Sequence, residues 1–135
     1  MKAVSVLFAG LLMTMLISCS KDDDPSTPGV TELVLGKWYV ESTTTGLTPC
    51  QKRTSLTFET SGTAALVNFD NSGSSCVQHA PATLGYEVID NKHLVLKSDG
   101  MIQYAEIISI TKDQMVWRYN VGGSDAIYIW DRVEG

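Results

Sequence analysis

"TLGYEVIDNKHLVLKSDG", residues 83–100, decides how the rest of the chain is read. Successive side chains of an extended strand point to opposite faces, so "TLGYEVID" puts Leu84, Tyr86 and Val88 on one side. Asp90-Asn91 is a turn pair, "HLVLK" returns with Leu94 and Leu96 on one face, and "SDG" turns again. Alternation broken by a short turn and resumed is the pattern of antiparallel neighbours.

The same pattern runs outward from this segment. Downstream, "MIQYAEIISI" is strand-like with apolar residues on both faces, and "TKD" is a turn. "QMVWRYNV" then aligns Met115, Trp117, Tyr119 and Val121, and "GGSD" leads into "AIYIWDRV". In that last segment Tyr128 and Trp130 share one face, and Ile127 and Ile129 the other. Upstream, "KWYVEST" aligns Trp38 with Val40, and "SLTFET" aligns Leu56 with Phe58. "TAALVNFD" follows the Ser61-Gly62 turn and aligns Ala65, Val67 and Phe69. No stretch sustains helical periodicity with caps. These are eight strand candidates in about 100 residues, mostly joined by short turns. A sandwich needs long crossing connections, and here there is one, from Asn71 to Ala82. The expected fold is all-β, an eight-stranded antiparallel up-and-down barrel whose closure removes exposed edges.

The first 18 residues are of another kind. Met1-Lys2 is a short positive start and "AVSVLFAGLLMTMLI" an apolar run, too short to span a bilayer, which takes about 20 residues. The run ends in Leu16-Ile17-Ser18-Cys19, which resembles the lipobox of bacterial lipoproteins. That resemblance implies cleavage of residues 1–18 and lipid on Cys19, a membrane anchor that does not span. The competing reading is an ordinary signal peptide with an incidental cysteine. Ser20 stands where an inner-membrane retention signal has Asp, and "SKDDD" resembles an acidic tag of surface-displayed lipoproteins. The expected location is the outer membrane, lipid-anchored, at the cell surface. Residues 19–32 read as an acidic, proline-containing tether and residues 33–135 as one domain.

The whole chain is formally −5, and without residues 1–18 it is −6, since only Lys2 is lost. With no basic stripe, nucleic acid is not an expected partner. Cys50 and Cys76 remain as an even pair in an oxidising compartment, and a disulfide is expected between them. Zinc held by both cysteines with His79 and His93 is the rival reading, but the spacings match no familiar framework.

"LVLGKWYVEST", with Gly36 and Trp38, resembles the Gly-x-Trp opening strand of lipocalins. With "CQKRTSLTFETSGTA", "SSCVQ", "LGYEVIDNKHLVL" and "EIISITKDQMVWRY", the chain resembles the lipocalin-like domain of bacterial outer-membrane and surface lipoproteins from Leu33 to Val133. The resemblance implies a barrel in which a basic residue of the last strand packs on the opening tryptophan, with Arg132 the first candidate and Arg118 the second.

No nucleophile set, acid–base pair or phosphate loop is visible, so no enzyme activity, cofactor or metal is expected. Glu87 and Glu106 lie on strands and either point outward into water or inward as buried carboxylates. Trp38, Phe58, Tyr86, Trp117 and Tyr119 fall on inner faces and are the candidate ligand-binding residues. A barrel of this size is either filled by its side chains or leaves room for one small ligand. The expected function is binding of a small apolar or amphiphilic ligand. The alternative is a filled barrel that meets another envelope protein through its loops.

Overall fold

Every alternating segment becomes a strand, and one further pair forms where the sequence offers no apolar alternation. The computed structural model describes residues 27–135. The expected leader, Cys19 and the first part of the expected tether lie outside the described residues. A short helix α1 (Val30–Val34) precedes β1 (Gly36–Thr43). A 3-10 turn (Gln51–Arg53) leads to β2 (Ser55–Phe58), β3 (Thr63–Val67), β4 (Phe69–Ser72) and β5 (Ser75–Gln78). The chain ends with β6 (Ala82–Ile89), β7 (His93–Ser98), β8 (Met101–Ile110), β9 (Gln114–Val121) and β10 (Ser124–Asp131). Eight of these close a barrel in the order β1-β10-β9-β8-β7-β6-β3-β2. Every pairing is antiparallel, and β4 and β5 form a separate hairpin. Neighbours in the chain are neighbours in the barrel, with the β4–β5 hairpin spliced between β3 and β6.

The two ends differ. At the closed end lie the start of β1, the tight turns 59–62, 90–92 and 111–113, and Arg132 just after β10. Asp90 and Asn91 take φ of 54° and 51°, a conformation that Asn and Asp tolerate best among side-chain-bearing residues. At the open end lie the long connections 44–54 and 68–81 and the short turns 99–100 and 122–123.

The core sits towards the closed end. Trp38, Phe58, Leu94, Met115 and Val34 are fully buried. Each such side chain contributes roughly 1.5–3 kcal/mol by leaving water. The Trp38 indole donates its N–H to the Val34 carbonyl at 2.7 Å, so its burial leaves no donor unmet. The Arg132 guanidinium lies 3.4 Å from the Trp38 ring centre. It also donates to the carbonyls of Leu33, Lys37 and Lys112 at 2.9, 3.0 and 3.2 Å. Arg132 therefore ties α1, β1 and the β8–β9 turn together. Burial lowers its pKa, and the nearby Asp113 charge partly offsets this. Gly36 has φ of 92°, and a Cβ there would lie 3.1 Å from Arg132 Nη1. The Gly-x-Trp spacing is thus a packing requirement of this plug.

Several expectations need correction. α1 was not visible as helical periodicity because five residues are little more than one turn. On β3 Ala64 and Leu66 face inward and Ala65 and Val67 share the opposite face, because Phe58 pairs with Ala64 and Leu56 with Leu66. Phe69 belongs to β4, not to that strand. β8 is apolar on both faces, as the mixed alternation of "MIQYAEIISI" indicates, and a register shift between Ile107 and Ser109 turns Ile110 inward. Ala105 and Ile107 are buried inside, while Ile102, Tyr104 and Ile108 are exposed. Both doubtful carboxylates serve the outside: Glu87 pairs with Lys97 at 3.0 Å, and Glu106 with Lys92 at 2.7 Å and with Arg118.

Candidate functional site

The inward positions change character from one end of the barrel to the other. Near the closed end they are filled with rings and large aliphatics in contact. Towards the open end the same alternation delivers Leu66, Leu84, Leu96, Ala105, Trp117 and Tyr128, and these border a cavity. It measures about 210 Å³ and is lined also by Leu56, Gln103, Tyr119 and Trp130. Its lining comes from every barrel strand except β1, so it occupies the barrel interior.

Two further chambers adjoin it. An outer chamber of about 490 Å³ shares Leu66, Tyr128 and Trp130 with the inner one. It continues past Val40, Leu47, Gln51, Thr54, Asn68, Phe69, Asp70 and His79 to the mouth. A side chamber of about 200 Å³ shares Leu66, Leu84, Leu96 and Gln103, and opens towards Ala82, Ser98 and Met101. Leu66 borders all three. The result is a cup with an aliphatic and aromatic floor and a polar rim, in the size class of small-ligand sites, ~300–1,000 Å³.

The aromatic wall is a cluster built by β9 and β10. Trp117 packs edge-on against Trp130 with ring centres 4.8 Å apart, and Tyr128 lies 6.4 Å from Trp117 and 6.3 Å from Trp130. The pairings Tyr128–Trp117 and Trp130–Met115 set these rings side by side. Trp130 is buried, and its Nε1 has no hydrogen-bond partner among the described residues.

The rim is fastened by the hairpin that the sequence did not reveal. Cys50 and Cys76 form the expected disulfide, with Cα atoms 5.4 Å apart, tying β5 to the 3-10 turn. Phe69 donates its backbone N–H to Thr54 Oγ1 at 3.0 Å, Thr48 Oγ1 bonds Asn71 Oδ1 at 2.8 Å, and Gln51 donates to Asp70 Oδ1 at 3.3 Å. The Arg53 guanidinium covers the Phe69 ring at 4.4 Å and pairs with Glu134 at 3.1 Å.

Of the five candidate ligand-binding aromatics, Trp117 and Tyr119 line the inner chamber. Trp38, Phe58 and Tyr86 line none of the three chambers and belong to the closed half. Phe58 and Tyr86 meet edge to face at 4.9 Å, and Tyr86 donates its hydroxyl to the Glu59 carbonyl at 2.7 Å. Burial raises the Tyr86 phenol pKa. The face of each ring was legible, but its depth along the barrel was not. The leucines went unsingled because inward aliphatics look alike whether they touch a neighbour or a void, and Tyr128 and Trp130 because the last strand is apolar on both faces. Among the described residues no group of three or more His, Cys, Asp or Glu side chains is placed to hold a metal ion.

A closed eight-stranded barrel, plugged at one end by an arginine on a tryptophan and cupped at the other, defines the class of lipocalin-like barrels. The family model for the lipocalin-like domain matches residues 34–117, and the chain belongs to that family. A lipocalin-like protein from Bacteroides uniformis ATCC 8492, known from its crystal structure, has the same fold. It aligns with a TM-score of 0.53 at 9% identity, over 75% of this chain and 99% of its own. No curated protein matches the chain. No helix among the described residues is long and apolar enough to cross a membrane.

Proposed function

We propose that the chain is a lipid-anchored outer-membrane protein, displayed at the cell surface, whose barrel binds one small apolar or amphiphilic ligand and carries out no catalysis. The observation behind the binding role is the unfilled, apolar half of the barrel interior bordered by Trp117, Tyr128 and Trp130. Desolvating an apolar ligand in such a chamber yields about 25 cal/mol per Å² removed from water. The anchoring role is supported by the sequence alone, through Cys19 and the acidic "SKDDD" that follows.

Two measurements test this reading. Native mass spectrometry of the full chain taken gently from its own envelope should show a discrete extra mass, lost in a folded Trp117→Ala variant. A bare mass, together with indole emission that no apolar probe alters, would sink the binding role. Cys19→Ala should release the protein from membranes, and retention of that variant in the membrane fraction would refute the anchor.

A second reading has its own observation. Met101, Ile102, Tyr104 and Ile108 are exposed on β8. Exposed apolar residues of this kind suit contact with another envelope protein. Charged replacements at Ile102 and Tyr104 that leave ligand uptake intact but abolish a cross-link in cells would favour it.

A further inference from the structure

Resting on the reading of the barrel as a ligand cup, we propose that Cys76 is a site of exchange with an external dithiol. Opening its bond to Cys50 frees the β4–β5 hairpin, which acts as a strap across the outer chamber, and so lets ligand go.

The first observation is how the hairpin is held. Among the described residues β4 and β5 pair with each other and with no barrel strand. Every residue from Asp70 to Gln78 is exposed, so burial does little to hold the hairpin down. It is held by the Cys50–Cys76 bond, by the Phe69 ring under Arg53, and by exposed polar bonds such as Thr48–Asn71 and Gln51–Asp70. Exposed hydrogen bonds trade with water at little net cost, which leaves the disulfide as the firm clasp. Its place matters for the cup. Leu47 and Gln51 wall the outer chamber on one side of the bond, and Phe69, Asp70 and His79 on the other. With the clasp open, weak contacts alone join the two walls, and the hairpin falls to the low-stability end of the fold. The second observation is how the bond is presented. Cys50 is buried, whereas Cys76 is exposed. Arg53 Nη1 lies 3.9 Å from Cys76 Sγ, and a cation there favours an approaching thiolate. The first thiolate of a dithiol attacks Cys76 Sγ, the S–S bond breaks, and the electron pair leaves on Cys50 Sγ. The second thiolate then closes on the mixed disulfide and releases Cys76. The dithiol is oxidised to a cyclic disulfide, and its two protons end on the two reduced cysteines.

N-phenyl-1-naphthylamine, a neutral apolar fluorophore, is titrated into the purified full chain at pH 8, first oxidised and then treated with dithiothreitol. Amide hydrogen exchange is followed in both states. After reduction the probe is expected to bind at least about fivefold more weakly, through lost apolar contact in the outer chamber. The amides of Phe69 and His79, bonded to Thr54 and Asn68, should lose protection while those of β9 and β10 keep theirs. Equal affinity with the bond open overturns the strap, while the cup itself stands. Loss of protection throughout β9 and β10 would show that the bond holds the whole barrel, and also overturns the strap. A bond that dithiothreitol leaves closed in the folded chain overturns the exchange site. No uptake of the probe by the folded, oxidised chain overturns the ligand-cup reading together with this one. Arg53→Gln separates charge from packing. Loss of the cation should slow reduction about fivefold, and Arg53→Lys should restore most of the rate. An unchanged or faster reduction in Arg53→Gln would mean that Arg53 acts only by covering Phe69, and would overturn its part in the exchange.

Discussion

Leu94 and Leu96 lie two residues apart on β7 and share the inner face, yet they live in different halves of the barrel. Leu94 is fully buried, pairs with Val88 and Ala105, and belongs to the filled end. Leu96 is half-buried, pairs with Tyr86 and Gln103, and borders the inner and side chambers. One strand thus passes from packing that stabilises to a surface that is free to bind. The alternation that drives inward residues out of water is the same in both halves. What differs is whether the opposite wall supplies a ring or a void.

That contrast sets the order of expected effects. Trp38→Ala empties the plug, strands the Arg132 guanidinium and should cost ~3–5 kcal/mol in denaturant unfolding. A cost below ~1 kcal/mol would erase the distinction between the two ends. Leu94→Ala should cost ~2–5 kcal/mol, whereas Leu96→Ala should cost only ~1 kcal/mol and appear instead as weaker ligand uptake. Equal costs at the two leucines would mean that the cup is packed shut in solution. Cys50→Ser opens a disulfide of sequence separation 26. The chain-entropy model assigns ~3.5 kcal/mol to such a loop. Because that bridge fastens the rim rather than the plug, the unfolding free energy in oxidising buffer should fall by ~2–3 kcal/mol, with the barrel still folded. Two free thiols in the native protein, or an unmoved midpoint, would contradict it.

The smallest effect lies on the outer wall. Lys92, then Arg118, hold the Glu106 carboxyl at about 2, below its ordinary value of 4.5. A depressed carboxyl stabilises the fold above its unfolded pKa, and that contribution is lost as pH falls from about 4.5 through about 2. Glu106→Gln should therefore lower the melting temperature slightly at pH 7, flatten the acid limb of the profile in that window and converge with the parent profile near pH 2. A parallel, uniformly lowered profile would assign Glu106 a packing role instead.

The barrel was legible because its strands alternate and its turns are marked: Asp90-Asn91, Ser61-Gly62 and Gly122-Gly123 all separate paired strands. Arg132 over Trp38 was legible through the family resemblance, and the disulfide through parity and compartment. The β4–β5 hairpin was not. "FDNS" and "SCVQ" carry no apolar face, and side-chain bonds and the disulfide hold them in place of a core. The site was legible only in part, since alternation assigns a residue to a face but is silent on its height along the axis. Trp117 and Phe58 read identically, and the register of the neighbouring strands decides that one borders a void and the other does not.

The first and last strands are partners, and Arg132 reaches back across 99 positions to the Leu33 carbonyl. This has a consequence for the order of events during synthesis. Until β10 has been made, β1 and β9 each present an unpaired edge, and Trp38 has no guanidinium above it. The other barrel pairings link consecutive barrel strands, whereas the final seam waits for the last residues and carries the greatest loop-closure cost. Shortening the chain before residue 124 therefore does more than remove one strand. It leaves an open sheet with two adhesive margins, and the fate of such a fragment is association with its own copies.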